Sequence, residues 1–306
     1  MTPQKTYWHL LDPKRMPTEY EITSSRLHSY TARGFEVDVP LKAWYRRYQQ
    51  ASPIVCDDWE QFVDPRETTY TTYTTLQSAK EIYVDGLLQS IETSHYDKGL
   101  SGAWIETLSQ ILAPLRYPFH GFQMIASYIG QMAPSSRLTL ASLFQAADEI
   151  RRVQRIAYRM KQLQLAHPGF GADSQSLWEK DPRWQPLREA VEKLLVTYDW
   201  AEALVGLNLV LKPLMDDFFL VHFSALARTK GDNRLGDIFA SLHEDCQWHQ
   251  AWSRAWFDFV VKSRIENKTA VQGWIDKWAP LAMRAARAFS PVFGSFPEMK
   301  IAGWKG

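Results

Sequence analysis

The sequence predicts an all-α fold of long helices, short turns and extended arms at both ends. Three observations predict it. Apolar residues recur at helical spacing over several stretches longer than 20 residues, alternating strand patterns are nearly absent, and residues 237–272 contain neither Pro nor Gly. A chain of 306 residues can bury a sizeable core. Its 13 Trp, 13 Tyr and 15 Phe suit a large core, or a core plus a broad protein interface.

Residues 1–40 keep no sustained period. Pro3, Pro13, Pro17 and Pro40 punctuate them, yet Trp8, Leu10, Leu11, Tyr20, Ile22, Leu27, Tyr30 and Phe35 are apolar or aromatic. A solvated tail is normally polar. This segment therefore reads as an arm lying extended across another surface, on this chain or on a partner. Residues 41–289 read as one helical bundle domain, and 290–306, with Pro and Gly, as a C-terminal tail.

Within the bundle, residues 41–50 form a short amphipathic helix. Asp64-Pro65-Arg66-Glu67 places Asp at a cap, Pro at the first helical position and Glu at the third. A helix is predicted from there to Ser94, on Tyr70, Tyr73, Leu76, Ile82, Tyr83, Leu87, Leu88 and Ile91. The β-prone run TTYTTYTT is outweighed by that start and by the helical period after it. Helices follow at 104–113, 119–132 and 138–165, with Pro114, Pro118, Pro134 and Pro168 between or after them. Residues 178–186 read as a break. Residues 187–211 and 214–228 read as one helical region interrupted near Pro213, and 234–265 and 269–289 complete the bundle.

The bulk numbers exclude several function classes. Lys+Arg number 35 against 34 Asp+Glu, so no global field recruits nucleic acid or an anionic membrane. The N-terminus has no apolar run of signal-peptide length, and no 18-residue apolar segment exists. Residues 203–223 come nearest, but Lys212, Pro213, Asp216 and Asp217 interrupt them, which fits a buried helix. Cys56 and Cys246 are far apart and read as free thiols of a cytoplasmic protein. No dinucleotide fingerprint, P-loop, nucleophile elbow or Cys/His dyad is present.

The stretch 241–256, SLHEDCQWHQAWSRAW, carries the most suggestive chemistry. Trp248, Trp252 and Trp256 recur at i, i+4, i+8 and share one helical face, suited to a core or in part to another subunit. Cys246 and His249 stand at i, i+3. A four-helix bundle holds two irons with a Glu-x-x-His motif on each of two helices and a Glu on each of two others. Here Cys246 stands where Glu is needed. His249 has two readings: a ligand of an unconventional metal site, or a hydrogen-bonded interior histidine beside Asp245.

Glu92-Thr93-Ser94-His95 is the one Glu-x-x-His in the sequence, and it falls at a predicted helix end that reads as exposed. Asp148-Glu149-Ile150-Arg151-Arg152 begins like a carboxylate iron motif, but Arg152 holds the position where His is needed. Arg151, Arg155 and Arg159 form an i, i+4, i+8 stripe, read as a solvated face ahead of a docking face for an acidic partner.

Taken together, Tyr7-Trp8-His9-Leu10, Pro17-Thr18-Glu19-Tyr20-Glu21-Ile22 and Leu27-His28 resemble the N-terminal arm of one family. It is the hydroxylase β subunit of bacterial multicomponent di-iron monooxygenases, with the toluene-type aromatic and alkene enzymes the nearest branch. The likeness continues through Leu41-Lys42-Ala43-Trp44-Tyr45, Ala51-Ser52-Pro53, Asp57-Asp58-Trp59 and Asp64-Pro65. It extends through PLRYPFHGFQM, Gln131-Met132-Ala133-Pro134, Ala147-Asp148 and Trp178-Glu179-Lys180. Asp199-Trp200-Ala201-Glu202-Ala203, Leu207-Asn208-Leu209 and Gly273-Trp274-Ile275 carry it on, so that it spans residues 7–289.

The resemblance implies a ferritin-like (ribonucleotide-reductase-like) bundle acting as a subunit. In that family the α subunit carries the di-iron centre and the β subunit lacks it, so no cofactor is expected in this chain. The implied partners are hydroxylase α and γ subunits in a paired heterotrimer, a regulatory protein, a Rieske ferredoxin and an NADH reductase. The implied reaction is oxidation of an aromatic hydrocarbon or alkene by O₂ with NADH-derived electrons. Laid on this sequence, the α subunit's first Glu-x-x-His pair falls on Pro114 and Tyr117, one carboxylate on Leu204, and the second pair on Cys246 and His249. Subunit contacts are expected at Trp8, His9, Leu10, Tyr20, Leu27, His28 and Tyr30, and at Trp248, Trp252 and Trp256. The competing readings are an active bundle oxidase with its metal near His249, and a free-standing helical adaptor.

Overall fold

The computed structural model describes Leu10 and residues 15–25, 40–293 and 301–303. Among them no β-strand forms. Of the N-terminal arm, α1 (Glu19–Ser24) starts on a capping box between Thr18 and Glu21. Its Tyr20 is buried against this chain: the hydroxyl accepts from the Asp64 backbone N–H at 3.1 Å, and the Arg137 guanidinium lies over the ring. Helix α2 (Pro40–Tyr45) continues as a π-turn over Arg46–Gln50.

The helix expected to start at Asp64 begins later. Asp64 instead gathers a turn, its carboxylate accepting from the backbone N–H of Arg66 at 3.0 Å and of Thr68 at 2.9 Å. Glu67 within that turn has φ 47°, which no helix accommodates. Helix α3 (Tyr70–Thr93) then starts on Thr69, in a reciprocal cap with Thr72.

Helix α4 (Gly102–Ile111) is capped by Ser101. Helices α5 (Arg116–Met132) and α6 (Ser136–Ala166), joined by a short turn, make the most extensive helix pair. Residues 178–186, expected as a break, are helical as far as Lys180: α7 (Ser174–Lys180) and α8 (Gln185–Leu195) flank a short turn.

The interruption expected at Pro213 is absent. From Trp200 to Thr229 the helical path is continuous: α9 (Trp200–Leu204), a π-turn at Val205–Leu211, α10 (Lys212–Asp216), a second π-turn at Asp217–His222, and α11 (Phe223–Thr229). A proline cannot donate to the ladder and crowds the carbonyl four residues back. Lys212 N–H reaches back five residues to the Leu207 carbonyl, and this wider turn takes Pro213 in without breaking the helix. The break comes earlier, at 196–199, where Asp199 caps α9 through the N–H groups of Ala201 and Glu202. Helix α12 (Asn233–Ser263), capped by Asp232, and α13 (Asn267–Ala288) follow, with a last turn α14 (Ser290–Phe293).

The interior is strongly aromatic. Trp59, Trp200 and Trp256 meet edge to face, with centroids 5.3 and 6.0 Å apart. Trp184, Phe218, Phe219 and Phe289 form a second group. Burying each such ring contributes about 1.5–3 kcal/mol. Helices α3, α6, α10 and α12 surround the part of the interior where the charged residues collect.

Candidate functional site

Six polar side chains meet inside the bundle, none more than 2% exposed: Glu149 and Arg152 on α6, Lys212 and Asp216 on α10, Cys246 and His249 on α12. Each pair stands at i, i+3 or i, i+4, so each points from one helical face. Arg152 Nη1 donates to Glu149 Oε2 and to Asp216 Oδ1, both at 2.9 Å, and its Nη2 donates to Cys246 Sγ at 2.7 Å. Lys212 Nζ lies 3.2 Å from Glu149 Oε1 and also pairs with Asp216 Oδ2. Two cations thus sit between two carboxylates.

A second layer covers this one towards α3. His249 Nε2 lies 2.9 Å from Asp148 Oδ2. The other Asp148 oxygen accepts from Tyr73 Oη at 2.8 Å and Gln77 Nε2 at 2.7 Å. Gln77 also reaches Asp245 at 3.0 Å, which pairs with Lys80 at 2.6 Å and Arg151 at 2.8 Å. The expected neighbour of His249 was Asp245. The structure puts Asp148 there, because Asp245 turns towards Lys80 and Arg151.

Burial and neighbouring charge set the protonation. Burial would raise the Asp216 carboxyl, but Arg152 and Lys212 hold it below its ordinary range. Burial pushes Glu149 up against the pull of the same two cations, so it is the less firmly ionised of the pair. Against their own desolvation, Arg152 and Lys212 are raised, chiefly by Asp216. Burial drives the Cys246 thiol well up and His249 well down, the latter helped by Lys212 and Arg152, so both are neutral.

This arrangement does not suit a metal pair. Guanidinium has no lone pair to offer, and a charged ammonium has none either. Cys246 is a neutral thiol engaged by Arg152. Among the described residues no group of three or more His, Cys, Asp or Glu is disposed to hold a metal ion.

The expected ligand positions require correction. Pro114 lies buried in the turn before α5, Tyr117 stacks on Trp178 with centroids 5.9 Å apart, and Leu204 is buried in α9. The pair that faces Cys246 and His249 is Glu149 and Arg152, and the third helix contributes Lys212 and Asp216. Those last two were legible only as interruptions of an apolar run, although charges i, i+4 apart in a buried helix must find partners.

Glu92 and His95 are exposed at the end of α3. Glu92 accepts from Tyr158 Oη at 2.9 Å and Gln162 Nε2 at 3.1 Å. The arginine stripe is not a solvated face. Arg151 and Arg159 are buried, Arg159 gripping Asp97 at 2.5 and 2.7 Å, and Arg155 pairs with Glu81 and with Asp85 at 2.6 Å. Trp248 Nε1 donates to Asp64 at 2.8 Å beneath the Arg66 guanidinium, and Trp252 and Trp256 are fully enclosed by this chain's own core. Leu10 is half-buried, whereas Trp8, His9, Leu27, His28 and Tyr30 lie outside the described residues. Cys56 and Cys246 are free and buried.

Residues 44–264 match the family model for methane/phenol/alkene hydroxylases. The chain is 37% identical over 303 residues to the β subunit of the hydroxylase component of the toluene-4-monooxygenase system of Ectopseudomonas mendocina, covering 96% of this chain and 91% of that one. It is 28% identical over 250 residues to the small subunit of the hydroxylase component of propane 2-monooxygenase from Gordonia sp. (strain TY-5), covering 80% and 68%. In three dimensions it matches a chain of toluene 4-monooxygenase, solved with toluene in the resting active site, at a TM-score of 0.90 and 37% identity, over 96% of this chain and 99% of that one. The ferritin-like bundle, the near full-length identity and the family model agree, and the chain belongs to the methane/phenol/alkene hydroxylase family.

Proposed function

We propose that this chain is the non-catalytic β subunit of the hydroxylase component of a soluble, cytoplasmic multicomponent di-iron monooxygenase. The 37% identity along 96% of the chain to such a β subunit carries the reading. The buried Arg152 and Lys212 support its non-catalytic part, since they occupy the interior where ligands would be needed. The iron, the substrate pocket and the reaction with O₂ belong to an α subunit. This chain stabilises α and helps build the paired assembly with γ, which a regulatory protein, a Rieske ferredoxin and an NADH reductase serve. The substrate class is an aromatic hydrocarbon or alkene. Contact with α runs through the N-terminal arm, with Trp8, His9, Leu10, Leu27, His28 and Tyr30 as anchors.

The test is iron analysis of the chain alone and of the chain co-expressed with α and γ, after anaerobic Fe(II) loading and desalting. The expected result is background iron in the isolated chain, and iron with NADH-dependent hydroxylation in the assembly. Two irons retained by the isolated chain would favour the oxidase reading and refute this one. Failure to co-purify with α and γ would favour the free-standing adaptor.

A further inference from the structure

Resting on the reading of this chain as a metal-free subunit, we infer that Arg152 and Lys212 replace the metal ions of the bundle. As fixed side-chain cations they neutralise Glu149 and Asp216 and tie α6, α10 and α12 together.

Three observations carry this. The first is position. A bundle that holds two irons presents i, i+3 ligand pairs from two helices and carboxylates from two more, all pointing inward. Here the i, i+3 pairs Glu149/Arg152 and Cys246/His249 face one another, with Arg152 Nη2 2.7 Å from Cys246 Sγ, and Asp216 enters from a third helix.

The second is charge. Carboxylates buried at the centre of a bundle need compensating positive charge. Metal ions supply it in a metal-holding bundle. In this chain Cys246 removes one anion, and the remaining Glu149 and Asp216 are matched by one guanidinium and one ammonium. Compensation has moved from exchangeable ions to covalently attached groups.

The third is bridging. Arg152 Nη1 contacts carboxylates from both α6 and α10, and Lys212 Nζ does the same. Each cation thus pairs with one carboxylate on its own helix and one on the other, and Arg152 Nη2 adds Cys246 on α12.

The test uses the full-length chain in two arms. The first is a double-mutant cycle on thermal melts with Lys212→Gln, Glu149→Gln and the pair. Lys212→Gln alone leaves two buried carboxylates sharing one cation, Arg152, and is expected to lower Tm by about 10 °C. The double variant, with one anion fewer, should recover at least half of that loss. Additive effects of the two substitutions would overturn the inference.

The second arm asks whether the place itself is a metal place. The triple variant R152H/K212Q/C246E has two Glu-x-x-His pairs facing each other beside Asp216. It is expected to take up at least one Co(II) per chain, read from the visible absorption of bound Co(II), and to melt higher with the ion than without. A folded triple variant that takes up no Co(II) would overturn the positional claim. If this variant does not fold, the cycle still decides. Stoichiometric metal held by the wild-type chain would refute the proposed function as well, whereas additivity in a metal-free wild type refutes this inference alone.

Discussion

Arg152 reaches across the bundle to Cys246: its Nη2 donates to the thiol sulfur at 2.7 Å, and the thiol in turn lies 3.6 Å from the Leu242 carbonyl. Among the described residues, the sulfur is the acceptor that this arm of the guanidinium finds. Cys246→Ala leaves a buried charged donor without a partner and is expected to cost about 1–3 kcal/mol in chemical denaturation. Cys246→Ser keeps an acceptor in nearly the same place and should cost less than half as much. Equal losses would mean that sulfur packing, not acceptance, holds the site.

His249 gives the fold a pH dependence with a definite sign. Burial, then Lys212 and Arg152, keep its folded pKa well below 6.5, so it is neutral in the folded chain. The unfolded chain takes up that proton near pH 6.5. Between the two values the unfolded state binds more protons, so stability falls as pH drops below about 6.5. Burial raises Asp148, which acts in the opposite sense, but that group is common to wild type and variant. His249→Gln removes the histidine contribution. Its deficit relative to wild type should be largest near pH 7 and should shrink by up to about 1.4 kcal/mol per unit on acidification. Parallel stability–pH curves would contradict this. Turnover of the assembled enzyme should stay within a few-fold of wild type.

Gly121 is where α5 approaches α8. A Cβ added there would lie 2.4 Å from Val191 Cγ1. Valine in a helix has one strongly preferred rotamer and cannot swing aside. Gly121→Ala is therefore expected to cost about 1–3 kcal/mol, and Val191→Ala in the same chain should relieve part of it. A thermodynamic cycle on the two variants measures the coupling. Additivity would place the strain elsewhere.

Of the N-terminal arm, Tyr20, Ser24 and Ser25 are held by this chain's own residues. Deleting residues 1–14 is expected to leave the melt of this chain nearly unchanged while co-purification with α falls sharply at dilute concentration. Deleting residues 1–25 also removes Tyr20, its bond to Asp64, and the Ser24 and Ser25 contacts to Arg137. That deletion should cost the chain about 2–3 kcal/mol of its own stability, since a fully buried aromatic contributes about that much. Identical melts for the two truncations would show that Tyr20 is dispensable to the fold.

The helices were legible in the sequence because apolar periodicity survives even where charges are buried. What periodicity does not encode is pairing between distant helices. Arg151, Arg155 and Arg159 look like a wet face on α6 alone, yet Glu81, Asp85 and Asp97 come to meet them. Arg152 stands out in the sequence because it holds the position where an iron-binding helix has His. Its partner Asp216 does not, because Lys212 and Asp216 read only as blemishes in an apolar stretch. Pro213 misled for a related reason: the rule that proline ends a helix assumes a four-residue ladder, and the π-turn before it supplies a five-residue one. Asp64 shows the converse error, where good capping letters serve a turn that Glu67 keeps out of helix.

That turn has a consequence for how the chain is made. Asp64 receives the indole N–H of Trp248, 184 positions later, and the Val55 backbone is held by the Asn267 side chain, 212 positions later. Ribosomes add about 5–20 residues per second. The segment around Val55 and Asp64 therefore waits roughly 10–40 s for these two partners to be made. A subunit built this way is sticky while it is being translated, and the company it keeps during that interval decides whether Tyr20 ends on Asp64 or on a stranger.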